Sequence, residues 1–179
     1  RETFTRIARE FEMVGFLDLN LREPWWTEEI LALSLEHASY VKIADDELYA
    51  LCSDHESSNE KRCEALLKRH DLRRIYLTQG PEDALLFDRA HSGIVTTSHP
   101  VASIPRPRDT VGAGDIFTAA SIYSLFHEWG APETLATACT ISTELCTRVG
   151  ATFDDPQFYR DWVRSAEPYW TKLERPVIF

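Results

Sequence analysis

The run DTVGAGDIFTAASIYSLF, from Asp109 to Phe126, decides how the rest of this chain is read. Gly112, Ala113 and Gly114 lack bulk, so the backbone can approach a ligand closely there, and glycine takes dihedrals closed to other residues. Several N–H groups are thereby free to point at one place. After Asp115, the residues Ile116, Ala119, Ala120, Tyr123, Leu125 and Phe126 recur at helical spacing, which predicts a helix with those N–H groups at its N-terminus. Such an end favours negative charge. A carboxylate in this first turn admits two readings. Asp is a favoured capping residue, so the plainer reading is that Asp115 only caps its helix. The sharper one makes it a general base beside a hole for a developing phosphoryl charge. Phosphoryl transfer needs positioning, charge stabilisation and an acceptor for the hydroxyl proton. Spacing alone does not choose between them.

The seven residues Asp109-Thr110-Val111-Gly112-Ala113-Gly114-Asp115, followed by Phe117, resemble the C-terminal signature of the ribokinase-like (PfkB) carbohydrate kinases. The resemblance implies that Asp115 deprotonates a sugar hydroxyl. It also implies that the amides of Gly112, Ala113, Gly114 and Asp115 form the anion hole for the transferred phosphoryl group, with Asp109 and Thr110 on the same phosphate side. ATP is the implied co-substrate, with Mg2+ bridging its phosphates. Asp109 is the implied side chain for a monovalent cation such as K+.

The chain has 179 residues, 44% of them hydrophobic, enough for one domain with a sizeable core. We therefore expect residues 1–179 to form a single α/β domain. No run reaches the roughly eighteen apolar residues of a membrane span, and no charged-then-apolar leader opens the chain, so the expected location is cytoplasmic. The formal charge of −10 opposes nucleic acid and anionic membranes as partners; a bound polyphosphate such as ATP must be held by local cations and amides. Cys52, Cys63, Cys139 and Cys146 form no CxxC pair, so neither a disulfide framework nor a structural zinc is indicated. His70 closes an apparent helix, where a cation suits the dipole. The chain opens at Arg1, and in the resembling family the signature lies near the C-terminus of a considerably longer protein. The expectation is a C-terminal portion, without the N-terminal strands, the paired-glycine sugar motif and the lid sheet that often forms a homodimer interface.

In chain order, Phe4, Ile7, Ala8, Phe11 and Val14 predict an amphipathic helix over 4–14 packed on a sheet. Residues 15–20, GFLDLN, read as a buried strand that delivers Asp18, Asn20 and Arg22 to one side at its C-terminal edge. A strand end capped by a turn before Pro24 is the plainer alternative. The segment DLNLREPWW is similar to the DxNxR segment of fructokinase-type and ketodeoxygluconate-kinase-type members, which implies that Asn20 and Arg22 face the sugar or phosphate. A helix over 27–37, N-capped by Thr27, a strand over 40–43 and a short helix over 45–51 follow. The strand-to-helix junction resembles K-x-N-x-x-E: Lys42 matches on the nucleotide side and Glu47 on the magnesium side, with Ala44 in the asparagine place. Taken alone, Glu47 reads as a solvated helix residue.

A polar loop leads into a helix ending at His70, and strands follow over 74–78, 84–87 and 93–97. The turn TQGPEDALLF resembles the family's T-x-G-x-x-G-A, which places Thr78 and Gly80 beside the nucleotide. Asp83 stands for the second glycine; where that place demands positive φ, aspartate tolerates it better than most residues. Residues 99–108 are punctuated by proline and read as an extended connector. After the signature helix, Gly130-Ala131-Pro132 starts another, with Leu135, Ala138, Cys139, Ser142 and Leu145 inward. Its run resembles the alanine-rich helix that flanks adenine, which implies nucleotide roles for Gly150 and, in the place of a frequent asparagine, Cys139. As a residue alone, Cys139 reads as a core thiol. A last helix is expected over 156–169, with Phe158, Trp162 and Val163 inward.

Strands alternating with helices predict a three-layer α-β-α sandwich with a mostly parallel sheet. The expected function is ATP-dependent phosphorylation of a sugar hydroxyl, fructose-like or a ketodeoxy sugar acid. The rival, motivated by Ala44, Asp83 and Cys139, is a catalytically impaired member that binds nucleotide or serves an assembly.

Overall fold

A computed structural model describes residues 2–10, 14–52 and 57–166. They divide between Ser98 and His99 into two compact units.

The first unit holds the sheet. Helix α1 (Glu2–Glu10) precedes β1 (Gly15–Asp18), α2 (Glu28–Glu36), β2 (Ala38–Ala44), α3 (Asp45–Leu51), α4 (Asn59–Arg69), β3 (Arg74–Thr78), β4 (Asp83–Ala90) and β5 (Gly93–Pro100). The strand order is β1-β2-β3-β4-β5. β1, β2 and β3 run parallel, joined by helical crossovers, and β4 pairs antiparallel with β3 across a short turn. The sheet is therefore mixed. Four residues do not suffice for a parallel return, so Gln79-Gly80-Pro81-Glu82 reverses the chain instead.

Alternation sorts the two faces of the sheet. Val41, Ile43, Ile75, Leu77, Leu85 and Phe87 lie in one core with Leu35 of α2, Leu48 of α3 and Cys63 and Leu67 of α4. The other face carries Phe16, Tyr40 and Tyr76, with Phe16 stacked on Tyr40 and 5.6 Å from the Tyr76 ring. Caps fix the helix starts: Thr27 accepts from the Ile30 N–H at 3.2 Å, as its place in the sequence predicts. α1 departs from expectation. It ends at Glu10, Phe11 lies outside the described residues, and Val14 is outside the helix and exposed.

The second unit is helical. α5 (Ala113–Phe126), α6 (Ala131–Cys146) and α7 (Pro156–Ala166) follow the connector, and residues 167–169 of the expected last helix lie outside the described ones. α5 buries Ile116, Phe117, Ala120, Ser121 and Ser124, a stripe rotated from the expected one: Ala119 is exposed and Phe126 is 80% exposed. The two serines read as polar, yet their hydroxyls donate to the Phe117 and Ala120 carbonyls within the helix. That satisfies them and lets small residues face the neighbouring helix. α6 answers with Leu135, Ala138, Cys139, Ile141 and Leu145, all buried, much as its spacing predicts. Tyr123 of α5 meets Trp162 of α7 at 6.1 Å.

Candidate active site

In the second unit the signature folds as a turn into α5. Gly112 is the N-cap, with φ 81° and ψ −2°. Two constraints demand glycine there: the left-handed backbone, and a Cβ that would lie 2.5 Å from the Ala151 carbonyl oxygen. The signature thus packs against the Gly150-Ala151 turn that follows α6. Asp109 joins the two turns. Its Oδ1 accepts from the Val111 N–H at 3.0 Å and its Oδ2 from the Gly150 N–H at 3.1 Å, across 41 residues of sequence. Those donors, Val111 first, hold the Asp109 carboxyl below the usual aspartate range.

Asp115 stands two places beyond Ala113, the first residue of α5, so it is not the N-cap of the plainer reading. It is exposed, and none of the side-chain hydrogen bonds or ion pairs among the described residues engages its carboxylate. The Ala113 N–H donates to the Thr110 carbonyl at 3.2 Å, and the Ile116 N–H to the Gly112 carbonyl at 2.9 Å. Between them the Gly112, Gly114 and Asp115 amides make no bond among the described residues, as first-turn donors should not. Amides so grouped at a helix start suit an anion such as a phosphate. Cys139 is 3% exposed, a core position on α6, and Gly150 takes φ 104° in the joined turn.

In the first unit the relevant residues gather at the C-terminal ends of the parallel strands. Lys42 is 7% exposed, and its Nζ lies 3.2 Å from Asp18 Oδ1 on the adjacent strand. Asp18, Lys42 and Tyr76 are register partners across β1, β2 and β3. Farther along the same face, Arg74 pairs with Asp88 at 2.6 Å. Burial works against the guanidinium charge, but the bonds to Asp88 and Tyr76 outweigh it and raise the Arg74 pKa.

β1 ends at Asp18, and Asn20 takes φ 44°. The expected alternation of Asp18, Asn20 and Arg22 along one strand therefore fails; asparagine's tolerance of the left-handed region lets the chain turn. Asn20 Oδ1 accepts from Arg22 Nε at 2.9 Å, and both side chains are exposed. Glu47 is the N3 residue of α3 and is half-buried. Its Oε2 accepts from the Ala44 N–H and its Oε1 from the Leu21 N–H, both at 2.8 Å. It is a clamp between the ends of β1 and β2 rather than a solvated helix residue. The alanine at 44 offers no side-chain cap, so Glu47 closes the helix start from within.

Thr78 ends β3, and Gly80 turns the chain with φ 58°. Asp83 begins β4 in ordinary extended backbone and is not among the residues with positive φ. Its departure from glycine therefore adds charge without backbone strain. Sequence reasoning missed the two carboxylate clamps, since neither the Asp109–Gly150 nor the Glu47–Leu21 bond has a local signal. The Asp18–Lys42 pair was within reach of strand alternation.

Among the described residues no three His, Cys, Asp or Glu side chains gather to hold a metal. Mg2+ commonly needs only one or two carboxylates, completing its shell with phosphates and water. Each Glu47 oxygen keeps a lone pair beyond its backbone bond, so the residues fit an ion held through water.

A family model for pfkB family carbohydrate kinases matches residues 2–157. The chain belongs to the pfkB family of carbohydrate kinases. A 5-dehydro-2-deoxygluconokinase of Geobacillus thermodenitrificans is 25% identical over 173 residues, 90% of this chain and 50% of that protein. An E. coli Ribokinase II in complex with ATP and Mg2+ superposes with TM-score 0.74 at 17% identity, covering 92% of this chain and 53% of its own. The 2-dehydro-3-deoxygluconokinase of Thermotoga maritima gives TM-score 0.70 at 16% identity over 95% of this chain and 54% of its own. The chain thus has the ribokinase-like α/β fold and spans about half the length of these relatives.

Proposed function

We propose that this pfkB protein is an ATP-dependent sugar kinase that transfers the γ-phosphoryl group to a hydroxyl of a monosaccharide, with a ketodeoxy sugar acid or a fructose-like sugar as acceptor. One observation carries the reading: the Asp115 carboxylate is exposed and uncommitted beside the Gly112, Gly114 and Asp115 amides at the start of α5. Asp115 takes the hydroxyl proton as the acceptor oxygen bonds to the γ-phosphorus; the bond from phosphorus to the β-γ bridging oxygen breaks and ADP leaves. The amides meet the charge on the transferred group. Asp109 keeps them in place by tying the signature to Gly150. Glu47 would hold Mg2+ through water, and the ion would supply positive charge against the phosphates.

Lys42, Thr78 and Gly80 are the nucleotide-side residues of this reading. Cys139 takes no part, because it is buried in the core. Arg22 favours an acidic acceptor: its Nε is bonded to Asn20, and its exposed terminal nitrogens suit a carboxylate. The two deoxygluconokinase relatives support the same class.

The test is coupled ADP release with Mg-ATP and a panel of sugars and sugar acids, beside Asp115→Asn. Turnover with one acceptor should fall about 10²–10⁴-fold in kcat in the variant, with the acceptor KM little changed. ATP raising the melting temperature without turnover of any acceptor would instead favour the catalytically impaired reading.

A further inference from the structure

Beyond its place at the start of α3, the Glu47 carboxylate reaches a segment that little else holds. The Leu19 N–H makes the last backbone bond to the neighbouring strand, to the Lys42 carbonyl at 3.2 Å. Past it the chain leaves the sheet with Asn20 in the left-handed region. The remaining bonds of this turn are internal: Arg22 Nε to Asn20 Oδ1, and the Trp25 N–H to the Arg22 carbonyl at 2.8 Å. Among the described hydrogen bonds, the one from the Leu21 N–H to Glu47 Oε1, 26 residues away in sequence, ties the turn to the rest of the unit.

The other Glu47 oxygen holds the Ala44 N–H at the end of β2. One carboxylate therefore sets the spacing between the Asn20–Arg22 turn and the strand that carries Lys42. Hydrogen bonds from backbone donors to a carboxylate are stronger than neutral ones. A carboxylate spent in this way has fewer lone pairs for a metal.

We propose that Glu47 is a positioning residue, which fixes the Arg22 guanidinium for the acceptor by holding the Leu21 backbone and touches metal only through water. The acceptor's part in this rests on the kinase reading above; the tether itself does not.

Two variants test it in the full chain. Glu47→Gln keeps one acceptor oxygen but turns an NH2 toward the second backbone N–H. Adding Ala44→Asn supplies a polar N-cap, so that α3 keeps its start without the glutamate. Amide hydrogen exchange, read by NMR without ligand, should show Leu21 exchanging about tenfold faster in both variants, with Ile75 in the core strand β3 as slow as before. Leu21 exchange unchanged in both variants would overturn the proposal.

The kinetic arm separates positioning from metal binding. The acceptor KM should rise about tenfold, and by more than the Mg2+ concentration for half-maximal rate rises. A raised Mg2+ requirement with an unchanged acceptor KM would overturn the proposal and give the carboxylate to the metal. Wild-type chain that turns over no acceptor would sink the kinase reading alone, and the exchange experiment would still decide the tether.

Discussion

Asp109 and Asp115 open and close the same run of sequence, yet their carboxylates are held in opposite ways. Asp109 has an N–H on each oxygen, whereas Asp115 is exposed and uncommitted. Only the second arrangement leaves a carboxylate open to serve as the base of the proposed reaction, because one stabilised by two donors resists protonation. Gly112 sits between them under two independent constraints, its φ of 81° and the Ala151 backbone behind it. A side chain in the left-handed region costs about 1–2 kcal/mol before any clash. We therefore expect Gly112→Ala to lose about 2 kcal/mol or more in denaturant unfolding. A loss near zero would mean that the turn re-forms without its contact to Ala151.

Helix ends show a second pattern. α2, α4 and α5 all close on a histidine C-cap: His37, His70 and His127. The dipole alone would favour the imidazolium at such a place, as the sequence reading of His70 assumed. Burial decides otherwise. It lowers the pKa of His70, with the neighbouring Arg69 adding to it, and lowers that of His127. Both helices are capped by backbone bonds from the histidine N–H groups, which need no charge. A base depressed in the folded state binds fewer protons there than in the unfolded chain. Its cost is absent above the ordinary histidine value near 6.5 and grows as pH falls through that value toward the lower folded one. The melting temperature should drop between about pH 7.5 and about pH 5.5, and drop less in a His70→Gln/His127→Gln variant. An equal drop in that variant would assign the effect to other groups.

What was legible in the sequence follows the same division between local and distant causes. All five strands and the Thr27 cap could be read, because alternation and capping act within a few residues. The signature's helix start was equally plain. The α5 stripe was misjudged because Ser121 and Ser124 hide their polarity inside the helix's own bonds. The Asn20 turn was read as strand because its tether comes from Glu47, beyond the reach of any local pattern.

For the chain taken whole, the excess of acidic groups, 29 against 19 basic, gives a formal charge of −10. Self-repulsion of that size opposes compactness and is screened over about 10 Å at 0.1 M salt. Raising NaCl from about 0.01 M to about 0.15 M should therefore raise the melting temperature by a few degrees. A fall would show that ion pairs such as Lys42–Asp18 and Arg74–Asp88 outweigh the repulsion. The strand order has a consequence of another kind. In the first unit β1, β2, β3, β4 and β5 lie side by side in the order in which the chain is written. Among these five described strands, none has to be slotted between two earlier ones, and each of β2 to β5 pairs with the strand before it. As a ribosome delivers these residues, β2, β3, β4 and β5 each meet the strand made just before, so this part of the sheet can grow during synthesis strand by strand.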